Sequence, residues 1–183
     1  MLRGNRYRRI LSGLRVVAVS VFLMGWMVTA CKVSYSFSGA SISPDVKTCN
    51  VQYFPMRVKS GSTVNPNLSQ YFTEALKNKI IAQTSLTLTD GDADVEFSGE
   101  ITDYKVEPVA ITGNETAGLN RFTITVHVRF VNNVDPDQSF DASFSRYEDY
   151  PSTQDFGSVE QDLVQKNVRN LVEDIFNKAF VNW

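Results

Sequence analysis

The chain has 183 residues, enough for one domain with a sizeable core. Its 18 basic and 20 acidic side chains leave a net charge of −2, but Arg3, Arg6, Arg8, Arg9 and Arg15 all precede residue 31, so the chain from there onward is about seven charges negative. That balance argues against a nucleic-acid partner, which requires a basic footprint to displace counterions; of the two cysteines, should one be modified, a single free thiol with a single histidine cannot build a zinc site.

The arginine-rich start is followed by Val16–Val28, VVAVSVFLMGWMV, which carries no charge. A positive region before a short apolar run is the layout of a secretory signal. A helix over 16–30 would reach only about 22 Å at ~1.5 Å per residue, against a hydrocarbon core of about 30 Å, and Arg15 blocks extension upstream. At the end of the run, Val28-Thr29-Ala30-Cys31 resembles the lipobox of bacterial lipoproteins. There an aliphatic residue and two small ones let the backbone lie extended in a peptidase cleft, and the cysteine thiol takes a diacylglyceryl group. This predicts a signal peptide over 1–30 and a single domain over 31–183 tethered through Cys31. Two or more acyl chains would hold it stably, since one alone is marginal. The plainer alternative is a secretion signal cut near Ala30, with Cys31 incidental. If Cys31 is a thioether, Cys49 has no partner within the chain and is expected to be a small buried apolar residue.

Lys32–Gly39 alternates, with Val33, Tyr35 and Phe37 opposite three serines, and predicts a half-buried strand. Lys47–Phe54 predicts a second, with Cys49, Val51 and Tyr53 in phase and Pro55 ending it. Asn65-Pro66-Asn67 opens a helix capped by Asn67 or Ser69; Leu68, Phe72, Leu76 and Ile80 form its apolar stripe, and it fades by Ser85. Glu74 sits early and Lys77 and Lys79 late, an order that complements the helix dipole. After an Asp90–Asp94 turn comes a strand with Val95, Phe97, Gly99 and Ile101 on one face. Tyr104 and Val106 are out of phase with it, so a bulge near Thr102–Asp103 is required. Gly113–Asn120 reads as a polar loop. Arg121–Val131 is the clearest strand, with Phe122, Ile124, Val126, Val128 and Phe130 alternating with polar residues. Phe140, Ala142 and Phe144 carry the sheet on to about Tyr150. Ser158-Val159-Glu160-Gln161 fits a capping box, followed by an amphipathic helix with a wide stripe from Leu163 to Phe180.

The order β-β-α-β-β-β-α predicts an α+β fold: a mostly antiparallel sheet, one face wet, the other covered by two amphipathic helices. Little in it carries chemistry. His127 lies on the polar side of its strand, with no nucleophile or orienting acid adjacent in sequence, so a solvated residue is expected and not a general base. Asp90, Asp92 and Asp94 begin like a calcium loop, but Val95 stands where the sharp-turn glycine is needed and Ile101 where the closing glutamate is needed. No phosphate-cradling loop or nucleophile elbow is present. The chain therefore reads as a binding or assembly domain rather than an enzyme, with no cofactor.

Six blocks, "YSFSGASI", "VNPNLSQYFTEALKNKIIAQTSL", "GEITDYKVEPVAI", "NETAGLNRFTITVHVRFVN", "SFSRYEDYPS" and "IFNKAFVNW", together resemble the LptE family of lipopolysaccharide-assembly lipoproteins, in the form found in Bacteroidota. The resemblance runs over nearly all of 31–183. It implies an outer-membrane anchor facing the periplasm and a β-barrel partner, LptD, whose lumen the domain plugs and whose folding it assists. It also implies a part in moving lipopolysaccharide to the outer leaflet. A barrel lumen is polar, and an acidic domain with Ser/Thr-rich strand faces suits it. Lys32, after the anchor, is not the aspartate associated with inner-membrane retention in enterobacterial lipoproteins. Candidates to meet lipid phosphates are Lys105, Arg121, Arg129 and Arg146, with a solvated surface cation as the bland reading of each. The reading that competes is a periplasmic lipoprotein that activates an envelope enzyme or serves a lipid transporter.

Overall fold

The computed structural model describes residues 42–58, 65–109 and 118–181. The signal segment, Cys31, Lys32, the strand expected over 32–39 and most of the 113–120 loop lie outside the described residues. The elements in chain order are β1 (Thr48–Val51), α1 (Leu68–Gln83), β2 (Thr87–Leu88), β3 (Val95–Val109), β4 (Leu119–Asn132), β5 (Phe140–Pro151) and α2 (Phe156–Phe180), with a 3-10 turn at Pro136–Gln138. They form one five-stranded sheet in the order β2-β1-β3-β4-β5.

The three long strands pair antiparallel, as their alternation requires. The sheet as a whole is mixed. β1 runs parallel to both β2 and β3, because the chain leaves β1, crosses through α1 and returns as β2. Alternation could not announce β2, which is two residues long and supplies no period. The bulge demanded by the phase of β3 is present: the β3–β4 register shifts between Ile101 and Asp103, which returns Tyr104 to the covered side at 2% exposure.

After β1 the phase expected from Cys49 and Val51 breaks. Tyr53 turns outward and Phe54 is buried instead. The chain stays beside β3 through Gln52 N–H to Phe97 O and Arg57 N–H to Ile101 O, so its backbone bonds are met without a regular strand. Phe54 lies over Gly99, whose φ is +156°. A Cβ there would sit 2.0 Å from the His127 carbonyl oxygen and 2.8 Å from the Phe54 ring, so only glycine fits this crossing. The buried Thr73 hydroxyl fixes the same turn, accepting the Phe54 N–H at 3.2 Å while donating to Ser69 O at 2.8 Å.

Both helices cover one face. α1 contributes Leu68, Phe72, Leu76 and Ile80, and α2 the whole stripe from Leu163 to Phe180; all are buried. Their ring systems meet those of the strands: Phe180 packs on Phe97 and Phe130, Phe156 on Phe122, and Phe54 on Phe72. The helices run in the same direction, since Asn65 meets Glu160 near their starts and Lys79 meets Glu173 further along. Cys49 is fully buried and burial pushes its thiol up to about 12, as a small apolar residue requires.

The helix ends differ from their sequence signals. Asn67 is the N-cap of α1, as expected, but makes no side-chain cap bond; Ser69 lies inside the helix, buried. Glu74 and the lysines fall outside the terminal turns, which carry no charge, and Lys79 instead pairs with Glu173. The expected capping box at Ser158 is overturned: α2 starts three residues earlier with Asp155 as N-cap, and Ser158 donates to Asp155 O. Glu160, in the second turn of the helix, accepts from the hydroxyl of buried Tyr104 and from Asn65 Nδ2.

Candidate functional site

The uncovered face of β3, β4 and β5 is the broad polar surface of the domain. It follows from strand alternation. Residues that share a pleat with Phe122, Val126 and Phe130 go to the helices, and their neighbours go to the open side. Cross-strand register then decides which open-side residues meet: Lys105 faces Thr123, Glu107 faces Arg121, Arg121 faces Asp149, His127 faces Ser143 and Arg129 faces Asp141.

Three of the four candidate cations stand on this face, and two of them are neutralised there. Arg121 holds Asp149 in a two-bond fork, Nε to Oδ1 at 2.8 Å and Nη2 to Oδ2 at 2.9 Å, with its guanidinium 3.7 Å above the Tyr147 ring. The fork raises the arginine's pKa and lowers that of the Asp149 carboxyl. Lys105 lies 3.3 Å from Glu107 and 3.5 Å from Asp103, and its pKa is raised chiefly by the bond to Glu107. Arg129 is exposed and makes no ion pair among the described residues. Arg146 belongs elsewhere: its register partner is Ile124, so it points to the helix side and grips Asp174 of α2 with two bonds of 2.5 Å.

His127 has company that the linear sequence did not show. Its Nε2 is 3.0 Å from Asp141 Oδ1 and its Nδ1 is 3.4 Å from Ser143 Oγ. A serine, a histidine and a carboxylate are thus in line, delivered by register rather than by a motif. The set lies on the open surface, with the Asp141 side chain 61% exposed. Acyl transfer gains its oxyanion stabilisation in a water-excluded site, and this set stands in solvent. The hydroxyls continue beside it, with Thr125 Oγ1 and Ser145 Oγ 3.0 Å apart. The surface is a mosaic of short ion pairs and hydroxyls, suited to hydrogen bonding over an area. The sequence reading missed Asp149, Asp141 and Tyr147 as partners; the signal was the cross-strand register, which a single strand's pattern does not contain.

The Asp90–Asp94 turn has a structural task. Asp94 Oδ2 accepts the N–H groups of Lys47 and Thr48 at 2.8 and 2.9 Å and the Thr48 hydroxyl at 2.9 Å, closing the entry to β1. Among the described residues no group of three acidic, cysteine or histidine side chains is placed to hold a metal ion.

Comparison with known proteins places this architecture. Among solved structures, the hypothetical protein CT253 from Chlamydia trachomatis superposes with a TM-score of 0.51 at 12% identity, over 75% of this chain and 99% of that one. At that identity the likeness shows a shared fold. A putative neuraminyllactose-binding hemagglutinin homolog from Helicobacter pylori superposes at 0.49 with 7% identity, over 79% of this chain and 89% of that one. A minor lipoprotein from Acinetobacter baumannii superposes at 0.41 with 13% identity, over 73% and 91%. No curated sequence matches the chain. The LptE profile, described as lipopolysaccharide-assembly, matches residues 46–179. A match that begins just before β1 and ends in the last turn of α2 makes this chain a member of the LptE family of lipopolysaccharide-assembly proteins.

Proposed function

We propose that the protein is an outer-membrane lipoprotein, anchored through Cys31 on the periplasmic side, whose folded body plugs an LptD-type β-barrel and helps it assemble. In that role it takes part in carrying lipopolysaccharide to the outer leaflet, by binding and not by catalysis. The observation that carries the reading is the family match over every described element but the end of α2. The open sheet face supports it: a plug for a water-filled lumen needs a hydrogen-bonding exterior around its own core, and that face is a mosaic of hydroxyls and ion pairs. In this reading residues 1–30 are removed and 31–183 form the mature domain. Arg129 is the first of the basic residues to meet a lipid phosphate, because its guanidinium need not break an ion pair among the described residues, while Lys105, Arg121 and Arg146 must leave theirs.

The test is affinity purification from detergent-solubilised outer membranes, combined with intact mass measurement. The expected result is a stoichiometric large β-barrel, a mature chain beginning at Cys31 with added acyl mass, and loss of surface lipopolysaccharide on depletion. Recovery of a free monomer of bare polypeptide mass, with normal surface glycolipid in its absence, overturns the proposal.

A further inference from the structure

A groove of about 550 Å³ opens where the first turns of α1 and α2 lie side by side, within the range of about 300–1,000 Å³ typical of small-molecule sites. Asn65, Asn67, Gln161 and Gln165 supply four side-chain amides, Glu160 a carboxylate and Tyr71 an aromatic ring. Each amide offers two donors and an acceptor in one plane. Glu160 is held in place by the Tyr104 hydroxyl and by Asn65 Nδ2 at 3.3 Å, both on Oε1, which leaves Oε2 without a hydrogen bond among the described residues. Tyr71 is 42% exposed, so a ring face is available beside the amides. The floor is Leu68 and Val164, both buried.

The lining selects a ligand class. Among the described residues it contains no lysine, arginine or histidine, and its one charged side chain is negative, so phosphates and acidic sugars meet no cation there. Amides and a carboxylate in a row match adjacent hydroxyls, which donate and accept at once, while an aromatic ring takes the apolar C–H face of a pyranose. An apolar ligand would leave the amides of Asn67, Gln161 and Gln165 unpaired, at a cost for each lost bond. From this lining we infer that the groove between the starts of α1 and α2 binds a short uncharged saccharide, with Glu160 and the amides of Asn67, Gln161 and Gln165 on its hydroxyls and Tyr71 against a ring face; Asn65, whose oxygen accepts the Asn67 N–H and whose nitrogen donates to Glu160, holds the wall in place.

Two envelope sources offer that chemistry: the neutral part of a lipopolysaccharide core, and a peptidoglycan glycan strand. The full chain, isotope-labelled in detergent, is titrated with dephosphorylated core oligosaccharide in one arm and chitotriose in the other, following amide chemical shifts. Saturable shifts centred on the groove are expected in at least one arm, and the arm that responds names the source. Tyr71→Ala and Gln161→Ala should each weaken binding about tenfold, while Asp137→Ala in the exposed 3-10 turn leaves it unchanged; unaltered melting midpoints establish that the variants fold. No saturable shift with either saccharide at the highest soluble concentration overturns the assignment, as does binding that Tyr71→Ala and Gln161→Ala leave intact. Saccharide binding stands apart from the barrel reading: loss of barrel co-purification and loss of groove shifts are separate results on separate samples.

Discussion

The two faces of β4 are built from alternate residues of one strand, yet they are held by different physics. On the covered face Phe122, Ile124, Val126 and Val128 are wholly excluded from water and Phe130 is 1% exposed. On the open face Arg121, Thr123, Thr125, His127 and Arg129 meet solvent and pair across the sheet. The first face is stabilised by area removed from water, roughly 25 cal/mol per Å². The second gains only small amounts from exposed ion pairs. Stability therefore resides on one side of the sheet, which leaves the other side free to be specified by what it binds.

Substitutions on β4 test that asymmetry directly. Phe122→Ala empties a site between Tyr104 and Phe156, whose rings lie 4.8 and 5.2 Å from it, and should cost about 3–5 kcal/mol in urea unfolding. Thr123→Ala, its neighbour on the open side, should stay within about 0.5 kcal/mol. Equal losses at the two positions would mean that the open face is packed against something in the isolated protein. Gly99→Ala comes next. There the faces are linked through the backbone, since the new Cβ would strike the His127 carbonyl and the Phe54 ring together. Strain of this kind costs about 1–3 kcal/mol, read as a lowered urea midpoint with the slope unchanged. His127→Ala should move neither stability nor any hydrolytic background, because the Asp141 and Ser143 contacts lie in solvent; an esterase activity in the wild type that this variant abolishes would refute the binding-only reading.

How far the sequence showed this can be judged element by element. The stripes of α1 and α2 and the alternation of β4 predicted the buried apolar residues of these elements, because each is fixed by the period of its own element; buried Ser69, Thr73 and Asn132 carried no such signal. The bulge in β3 was legible because a phase slip leaves apolar residues on the wrong parity. What failed was what depends on another part of the chain. Phe54 replaced Tyr53 inside because Thr73 and Gly99 shape the turn there. Ser158 was not the cap because the helix begins at Phe156 behind Asp155, whose carbonyl takes the Ser158 hydroxyl. Asn167, fully buried on α2 and bonded to Phe122 O at 3.3 Å, sits inside an apolar stripe and gave no warning. The open face was legible in composition and not in pairing: Arg121 could be named, but Asp149 as its partner required the register. The groove between the helix starts was not legible at all, since Asn65 and Glu160 are brought together only by tertiary packing.

The smallest effect separates two carboxylates by the way each is held. Asp94 is lowered below its ordinary 3.8 mainly by the Lys47 and Thr48 backbone amides; Asp149 is lowered mainly by the Arg121 guanidinium on the open face. For either group a depressed folded pKa means that the unfolded chain takes up the proton first. Its contribution is complete above the ordinary value and is lost as pH falls through the lower folded value. Both therefore steepen the acid limb of the stability curve below about pH 4. They differ in salt. Backbone amides are fixed dipoles at hydrogen-bond distance, whereas Arg121 and Asp149 have side chains 37% and 30% exposed, and such a pair is screened at high ionic strength. Urea midpoints followed from pH 7 to pH 2.5 should show Asp94→Asn flattening the acid limb at both low and high salt. Asp149→Asn should flatten it less, and at 1 M NaCl hardly at all. If Asp149→Asn had the larger effect, or kept it in high salt, the open face would be contributing to the fold as the covered face does, and the division between a face that holds the domain together and a face left for binding would fail.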